Sequence, residues 1–283
     1  MSPVLIRPLV CATLLLCWLL YAAVPLRADT ALVRVEGSTT LQPALQRLVK
    51  AYAREHRGVE FELRGGGSGA GLAALLQGRT DIAASSRFLS EGEIAQFTER
   101  GIYPVPFRIA YDAIIPVVNK RNPVSDLSLE QLGLIFRGEL LDWSELGGTS
   151  QPIRLVMREP GSGTSQVWRE RVEVGAARPA DAVLAPSSAA VLEEVARRSG
   201  AIGYIGLGYL NASVKPLRVD GVMGSLGNVR AGRYMLARPL FLFTNGWPDG
   251  PVLDFIDYVL DPGRGQHLVE KSGLVPLHDD KRR

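Results

Sequence analysis

The sequence predicts an α/β fold of two lobes, with two mostly parallel sheets flanked by helices and joined by two hinge crossovers. Three observations carry this. Short β-rich apolar runs alternate with stretches of helical periodicity, the βαβα order that builds parallel sheets. Three strand-to-helix junctions share one make-up, a turn of Gly with Ser or Thr. Two β-rich runs, Val105 to Val118 and Arg230 to Thr244, are much longer than the rest. A strand that long, after a series of βα units, suits a chain crossing from one lobe to another.

Ala31 to Glu36 reads as the first strand, and Gly37-Ser38-Thr39-Thr40 as its turn. Leu41, Leu45, Leu48, Val49 and Tyr52 then recur at helical spacing, with Gln46, Arg47, Lys50 and Arg54 opposite; Ser38 or Thr39 is the expected N-cap. Val59 to Leu63 alternates as a second strand. A Gly-rich turn, Arg64 to Gly71, precedes a helix begun by Leu72, Leu75 and Leu76 and ending near Gly78. Asp81 to Ala84 is a short buried strand, Ser85-Ser86-Arg87 its turn, and Ser90 with Glu93 has the look of a capping box. Beyond the first crossing lie the turn Asn122 to Asp126, a short helix capped near Ser128 and ended by Arg137-Gly138, and Leu141-Asp142-Trp143. Ile153 to Met157 reads as a strand and Ser165 to Val172 as a helix, with Arg158-Glu159-Pro160-Gly161-Ser162-Gly163-Thr164 between them. A helix near Ser188 to Ser199, a strand Ala201 to Ile205, the second crossing, a helix Val252 to Leu260 and the stretch Gly273 to Leu277 complete the chain. The crossings divide it into one lobe of residues 29–109 plus 236–283 and a second of residues 110–235.

Residues 1–28 differ in kind. Arg7, an apolar run from Leu9 to Val24 and Pro25-Leu26-Arg27-Ala28 make the charged start, apolar middle and small-residue exit of a secretory signal peptide, cleaved after Ala28. A retained anchor is the alternative, but the run is shorter than the roughly 20 residues a spanning helix needs. Both cysteines, Cys11 and Cys17, lie in this segment, so the exported chain would fold without a disulfide.

With 46% hydrophobic and 22% charged residues the composition is that of a globular protein. A formal net charge of +3, with no basic block beyond Lys281-Arg282-Arg283, speaks against a nucleic-acid partner. Gly65, Gly67 and Ala70 formally satisfy a dinucleotide fingerprint, but Asp81 lies too early and at the start of a strand. There is no Gly-Lys-Ser/Thr loop, no Gly-x-Ser-x-Gly elbow and no Cys/His cluster to ligate a metal, and no cofactor is expected. His56, His267 and His278 lie away from the turns, and Trp143 and Trp168 read as packing residues.

The turns point to an anion. At a helix N-terminus the first N–H groups lack backbone partners and the dipole is positive, while Gly admits close approach. Ser and Thr add hydroxyls, and Arg158, at a strand end, adds a planar cationic fork. Each turn alone reads equally as a Gly-rich turn with a Ser or Thr cap. Three of them, at carboxyl strand ends of two lobes, would face one cleft and grip a small tetrahedral oxyanion.

These stretches resemble the PstS-like family of periplasmic phosphate-binding proteins of ABC transporters. The matches run from residue 33 to 277 and include Gly37-Ser38-Thr39-Thr40 with Pro43, Gly67-Ser68-Gly69, Asp81 through Arg87, Ile135-Phe136-Arg137-Gly138, Arg158 through Thr164, Ala201-Ile202-Gly203-Tyr204 and Arg238-Pro239-Leu240. The Arg-x-x-Gly-Ser-Gly-Thr match is the specific one. The resemblance implies a type 2 periplasmic-binding-protein fold and a monomeric carrier, not an enzyme, which takes inorganic phosphate to a membrane permease from the periplasm. It implies an anion site of Ser38, Thr39 and Thr40, of Ser68, and of Arg158, Ser162, Gly163 and Thr164. Some members have an Asp where this chain has Ser86, a carboxylate that accepts the proton of phosphate and repels sulfate. Here Ser86 and Arg87 take that place, Arg87 either as a second charge in the site or as an ion pair outside it. Asp112 is the nearest acid on the crossing strand, open to an acceptor or a hinge role. Another oxyanion such as sulfate or molybdate, and a secreted phosphatase on the same fold, are the alternative functions.

Overall fold

The computed structural model describes residues 30–174 and 179–278; the segment expected to be a signal peptide, its cysteines and the basic tail lie outside the described residues. Three parallel strands start the chain, β1 (Ala31–Gly37), β2 (Val59–Arg64) and β3 (Ile82–Ser85). Their connections are α1 (Gln42–Glu55) and α2 (Ser68–Leu76), and α3 (Glu91–Glu99) follows β3. β4 (Pro104–Asn119) is the first crossing. Beyond it come β5 (Asp126–Leu127), α4 (Leu129–Arg137), β6 (Arg154–Arg158), α5 (Gly163–Trp168), β7 (Val183–Ala185), α6 (Ser188–Arg197) and β8 (Ala201–Gly206). β9 (Val214–Pro216), β10 (Arg218–Val219) and α7 (Leu226–Arg230) lead to the second crossing, β11 (Ala237–Asn245), then to α8 (Gly250–Leu260) and α9 (Gly265–Lys271).

The sheet runs β2-β1-β3-β11-β4-β8-β6-β7, with β9 also on β4. It is parallel within β1–β3 and within β6–β8 but antiparallel at β3–β11, β11–β4, β4–β8 and β4–β9. The expectation of mostly parallel sheets thus holds for the outer strands and fails at the joint. The chain leaves on β4 and returns on β11, so the two crossings must run in opposite directions. β4 is long enough to pair with β11 over its first part and with β8 and β9 over its second, which makes one continuous sheet of two lobes.

Two hydrophobic cores meet along these crossings. Ile109 and Ala110 on β4 and Leu240 and Leu242 on β11 pack with Val33, Val35, Leu48 and Phe255. Ala113 to Ile115 on β4 and Leu236 pack with Val156, Met157, Trp168 and Tyr204. A smaller cluster of Leu72, Leu75, Phe97 and Phe243 fills the opposite face of the first sheet, so that sheet is covered by helices on both sides. Trp143 donates its indole N–H to Gly200 O at 2.9 Å, and Trp168 stacks on Tyr204 at 4.4 Å; both are packing residues.

Other sequence expectations shift locally. α2 begins at Ser68, well before Leu72, because Gly67 at φ 94° turns the chain straight into the helix. The helix expected over Ser165 to Val172 is α5 followed by a π turn, Arg169–Glu173. The second crossing starts only at Ala237: Ser225 caps α7 through the N–H of Asn228, and Gly232 at φ 67° ends it, so residues 230–236 are not strand. The capping box at Ser90 is present, and Glu93 also takes the Arg87 fork through Nη1 and Nη2 at 2.7 Å each. Burial pushes the Glu93 carboxyl up, but Arg87 and the Ser90 N–H outweigh it and hold it below the usual range. A depressed carboxylate stabilises above its unfolded pKa and loses that contribution as pH falls through the folded value. Glu93→Gln should therefore lower stability at neutral pH by about 1 kcal/mol. The difference should fade on acidification below about pH 4, as read from thermal melts across pH.

Candidate anion-binding site

The carboxyl ends of β1, β2, β3 and β6 carry the four turns, and β1 is pinned to β3 where they begin. Gly37 sits at φ 137°, and a Cβ there would lie 2.2 Å from Ala84 O, so the close strand crossing admits only glycine. The Ser38 N–H closes the turn on Ala84 O at 2.8 Å. The expected Ser38 or Thr39 cap is not formed: Leu41 is the N-cap of α1, without a side-chain bond. Leu41 and Gln42 N–H groups go instead to the carbonyls of Ser38 and Thr39. The hydroxyls are thereby released, and Thr39 Oγ1 is buried with no partner. α2 likewise lacks a side-chain cap.

The turns of the two lobes meet. Ser68 Oγ lies 3.3 Å from Ser86 Oγ and accepts the Ser86 N–H at 3.0 Å. Both hydroxyls press on Gly163, where a Cβ would stand 2.4 Å from Ser68 Oγ and 2.6 Å from Ser86 Oγ. Gly69 N–H donates to Gly161 O at 3.0 Å, Thr40 Oγ1 lies 3.1 Å from Thr164 Oγ1, and Tyr209 OH donates to Thr39 O at 2.6 Å. Ser162 caps α5 by accepting the Ser165 N–H, which leaves its own O–H to donate. Ser38, Thr39, Thr40, Ser68, Ser86, Arg158, Ser162 and Thr164 are all buried polar residues, as a binding cleft closed on itself requires.

Arg158 is fixed by donations from Nε to Ala185 O at 3.2 Å, Nη1 to Ser188 Oγ at 3.3 Å and Nη2 to Pro186 O at 2.9 Å. Burial pulls its pKa down to about 10, with Arg238 pushing in the same direction. Arg87 departs from the expected set. Its Nη1 and Nη2 are engaged by Glu93 and Phe88 O, which ties it to the cap of α3, while its Nε is buried without a partner. Of the two roles open to it, the geometry gives the ion pair.

The sequence reading gave no role to Arg238. It lies opposite Asp112 in the β11–β4 register, and both are buried. Arg238 Nη2 donates to Asp112 Oδ2 at 2.9 Å, to Thr164 Oγ1 at 2.9 Å and to Thr40 Oγ1 at 3.2 Å, and so touches both lobes. Asp112 Oδ1 accepts the Leu207 N–H at 3.0 Å. Burial drives the Asp112 carboxyl up and the Arg238 guanidinium down, and each resists the shift of the other. The signal was in the sequence: one charged residue at the centre of each apolar crossing, of opposite sign.

A family model described as a PBP superfamily domain matches residues 25–262. The phosphate-binding protein PstS of Bacillus subtilis is 30% identical over 87% of this chain and 81% of its own length. Among solved structures, a putative phosphate ABC transporter substrate-binding protein from Clostridium perfringens, with bound phosphate, is 32% identical. It matches with a TM-score of 0.80 over 87% of this chain and all of its own. An ABC-type phosphate transport receptor from Vibrio cholerae is 27% identical, with a TM-score of 0.70 over 86% of this chain and 99% of its own.

Proposed function

The chain belongs to the PBP superfamily, and on that premise we propose that it captures inorganic phosphate between its lobes and delivers it to an ABC-type permease. One observation carries the reading. Hydroxyls from β1, β2 and β3 turns meet Gly163 and Thr164 from the other lobe, beside two buried arginines. Such a set offers N–H, O–H and cationic donors on opposite sides of a small anion and little apolar surface. The relatives named as phosphate-binding, and the one with phosphate bound, support the same ligand. We assign the anion to Ser38, Thr39, Thr40, Ser68, Ser86, Arg158, Ser162, Gly163 and Thr164, and exclude Arg87.

The lobes of this reading are residues 29–109 with 236–283, and residues 110–235, hinged on β4 and β11 where the two cores change over. The protein works as a monomeric carrier in the periplasm, exported by its first 28 residues. Catalysis has little support: His56 stacks on Tyr52 at 3.9 Å and its Nδ1 meets Tyr52 O, so it is committed to packing.

A second reading, a broader oxyanion carrier, has one observation in its favour. Ser86 stands where some members place an acid, and both oxygens of Asp112 are engaged by Arg238 and Leu207, so the site has no uncommitted carboxylate to reject sulfate. Calorimetric titration of residues 29–283 with phosphate, arsenate, sulfate and molybdate tests both. Phosphate and arsenate should bind, with sulfate measurable but weaker. Silence from all four anions would sink the proposal, and sulfate or molybdate binding above phosphate would move the assignment to that anion.

A further inference from the structure

We propose that Arg238 is a second anion-binding arginine, which reaches phosphate from the hinge strand while Asp112 holds it charged and in place. This rests on the phosphate reading and adds a ligand residue that belongs to none of the four turns.

The geometry of the fork carries the argument. Nε and Nη2 both donate to Asp112 Oδ2, at 3.2 and 2.9 Å, so the side edge of the guanidinium is spent on the carboxylate. The front edge is then formed by Nη1 and Nη2. Nη2 uses that edge to reach Thr164 Oγ1 and Thr40 Oγ1, one from each lobe. Nη1 is buried and has no partner. Because the fork is planar, its forward N–H runs parallel to the one that meets the threonines, toward the place where the facing turns converge.

A buried cationic N–H without an acceptor is costly, and native structures keep few of them. Thr39 Oγ1, next in sequence to Thr40, is also buried without a partner. A tetrahedral oxyanion seated among the turns accepts from both. It also relieves the repulsion between Arg158 and Arg238, two buried cations near enough for one to depress the pKa of the other. Asp112 serves as counter-ion: with Leu207 N–H on Oδ1 and Arg238 on Oδ2, it orients the fork and does not receive the proton of the ligand.

The rival is a purely structural tie of Arg238 to the two threonines, and the experiment separates them. Asp112→Asn with Arg238→Gln replaces the ion pair by a neutral pair of similar shape, and Arg238→Lys keeps charge but loses the fork. Phosphate affinity should fall about 30-fold in the double variant, the worth of a charge-assisted bond. In the parent protein, nitrogen-15 NMR of the guanidinium groups should show a signal, absent from Arg238→Lys, that shifts and gains exchange protection on addition of phosphate. Binding within threefold of the parent by the double variant, or an Arg238 signal unmoved at phosphate saturation, overturns the proposal. If the double variant does not fold, the parent spectrum decides alone. A parent that binds no phosphate in the preceding titration removes the functional reading itself, and this inference with it.

Discussion

Arg158→Ala should weaken phosphate binding about 1,000-fold, or roughly 4 kcal/mol, the upper part of the range for truncating one partner of a buried hydrogen-bonded charge pair. The guanidinium is 2% exposed and is held by two carbonyls and a hydroxyl, so its aim does not depend on the ligand. Preorganised charge is worth most, since no side-chain freedom is lost on binding. The same bonds make a cost to the fold. Alanine would strip Ala185 O and Pro186 O of a donor, for about 1–3 kcal/mol of stability. Calorimetry and thermal melts of the unliganded variant separate the two effects. Arg158→Lys should recover only part of the affinity, because a point charge cannot make the same set of bonds. With burial drawing the pKa of Arg158 to about 10, affinity should hold on the acid side of that value and decline as pH climbs through it. Binding by Arg158→Ala within tenfold of the parent would refute its place in the site.

What could be read from the sequence, and what could not, follows from the range of each signal. The strand-turn-helix units were legible because apolar period and Gly/Ser/Thr composition are local properties. The turns that face one another were legible because parallel strands put their carboxyl ends on one edge. Direction at the joint was not: antiparallel pairing of β3, β11, β4 and β8 depends on which strand lies beside which, a long-range outcome. The N-cap at Ser38 or Thr39 was expected from side-chain preference, yet the pinning of Gly37 against Ala84 carries the turn further, to Leu41. Arg87 was ambiguous because its partner Glu93 sits on the next element, with a cap role of its own. Arg238 and Asp112, 126 residues apart, were each visible as a charge near the middle of an apolar run, and only the strand register joins them.

Gly163→Ala should reduce phosphate affinity at least about 100-fold while each lobe still folds around its own core. The reason is contact, not backbone strain. An added methyl would stand 2.4 Å from Ser68 Oγ, 3.0 Å from Ser68 Cβ and 2.6 Å from Ser86 Oγ. Neither serine can swing away freely, since both are buried and Ser68 Oγ also accepts the Ser86 N–H. The methyl therefore acts as a wedge between lobes, and it works against the neighbouring Gly69 N–H to Gly161 O bond that closes the same gap. Gly163 is the first residue of α5, so the change there gains helix propensity but less than the interior value of about 0.5–1 kcal/mol. The two effects have opposite signs, which makes the outcome diagnostic. Thermal melts without ligand should still show a cooperative transition, since each lobe keeps its own core. The added stability that saturating phosphate gives the parent, about 4 kcal/mol at 1,000 times Kd, should be largely lost. Small-angle scattering in saturating phosphate should show a larger radius of gyration for the variant than for the parent. If Gly163→Ala binds within threefold of the parent, closure does not pass through the Ser68–Ser86–Gly163 contact, and the ligand is held by one lobe alone.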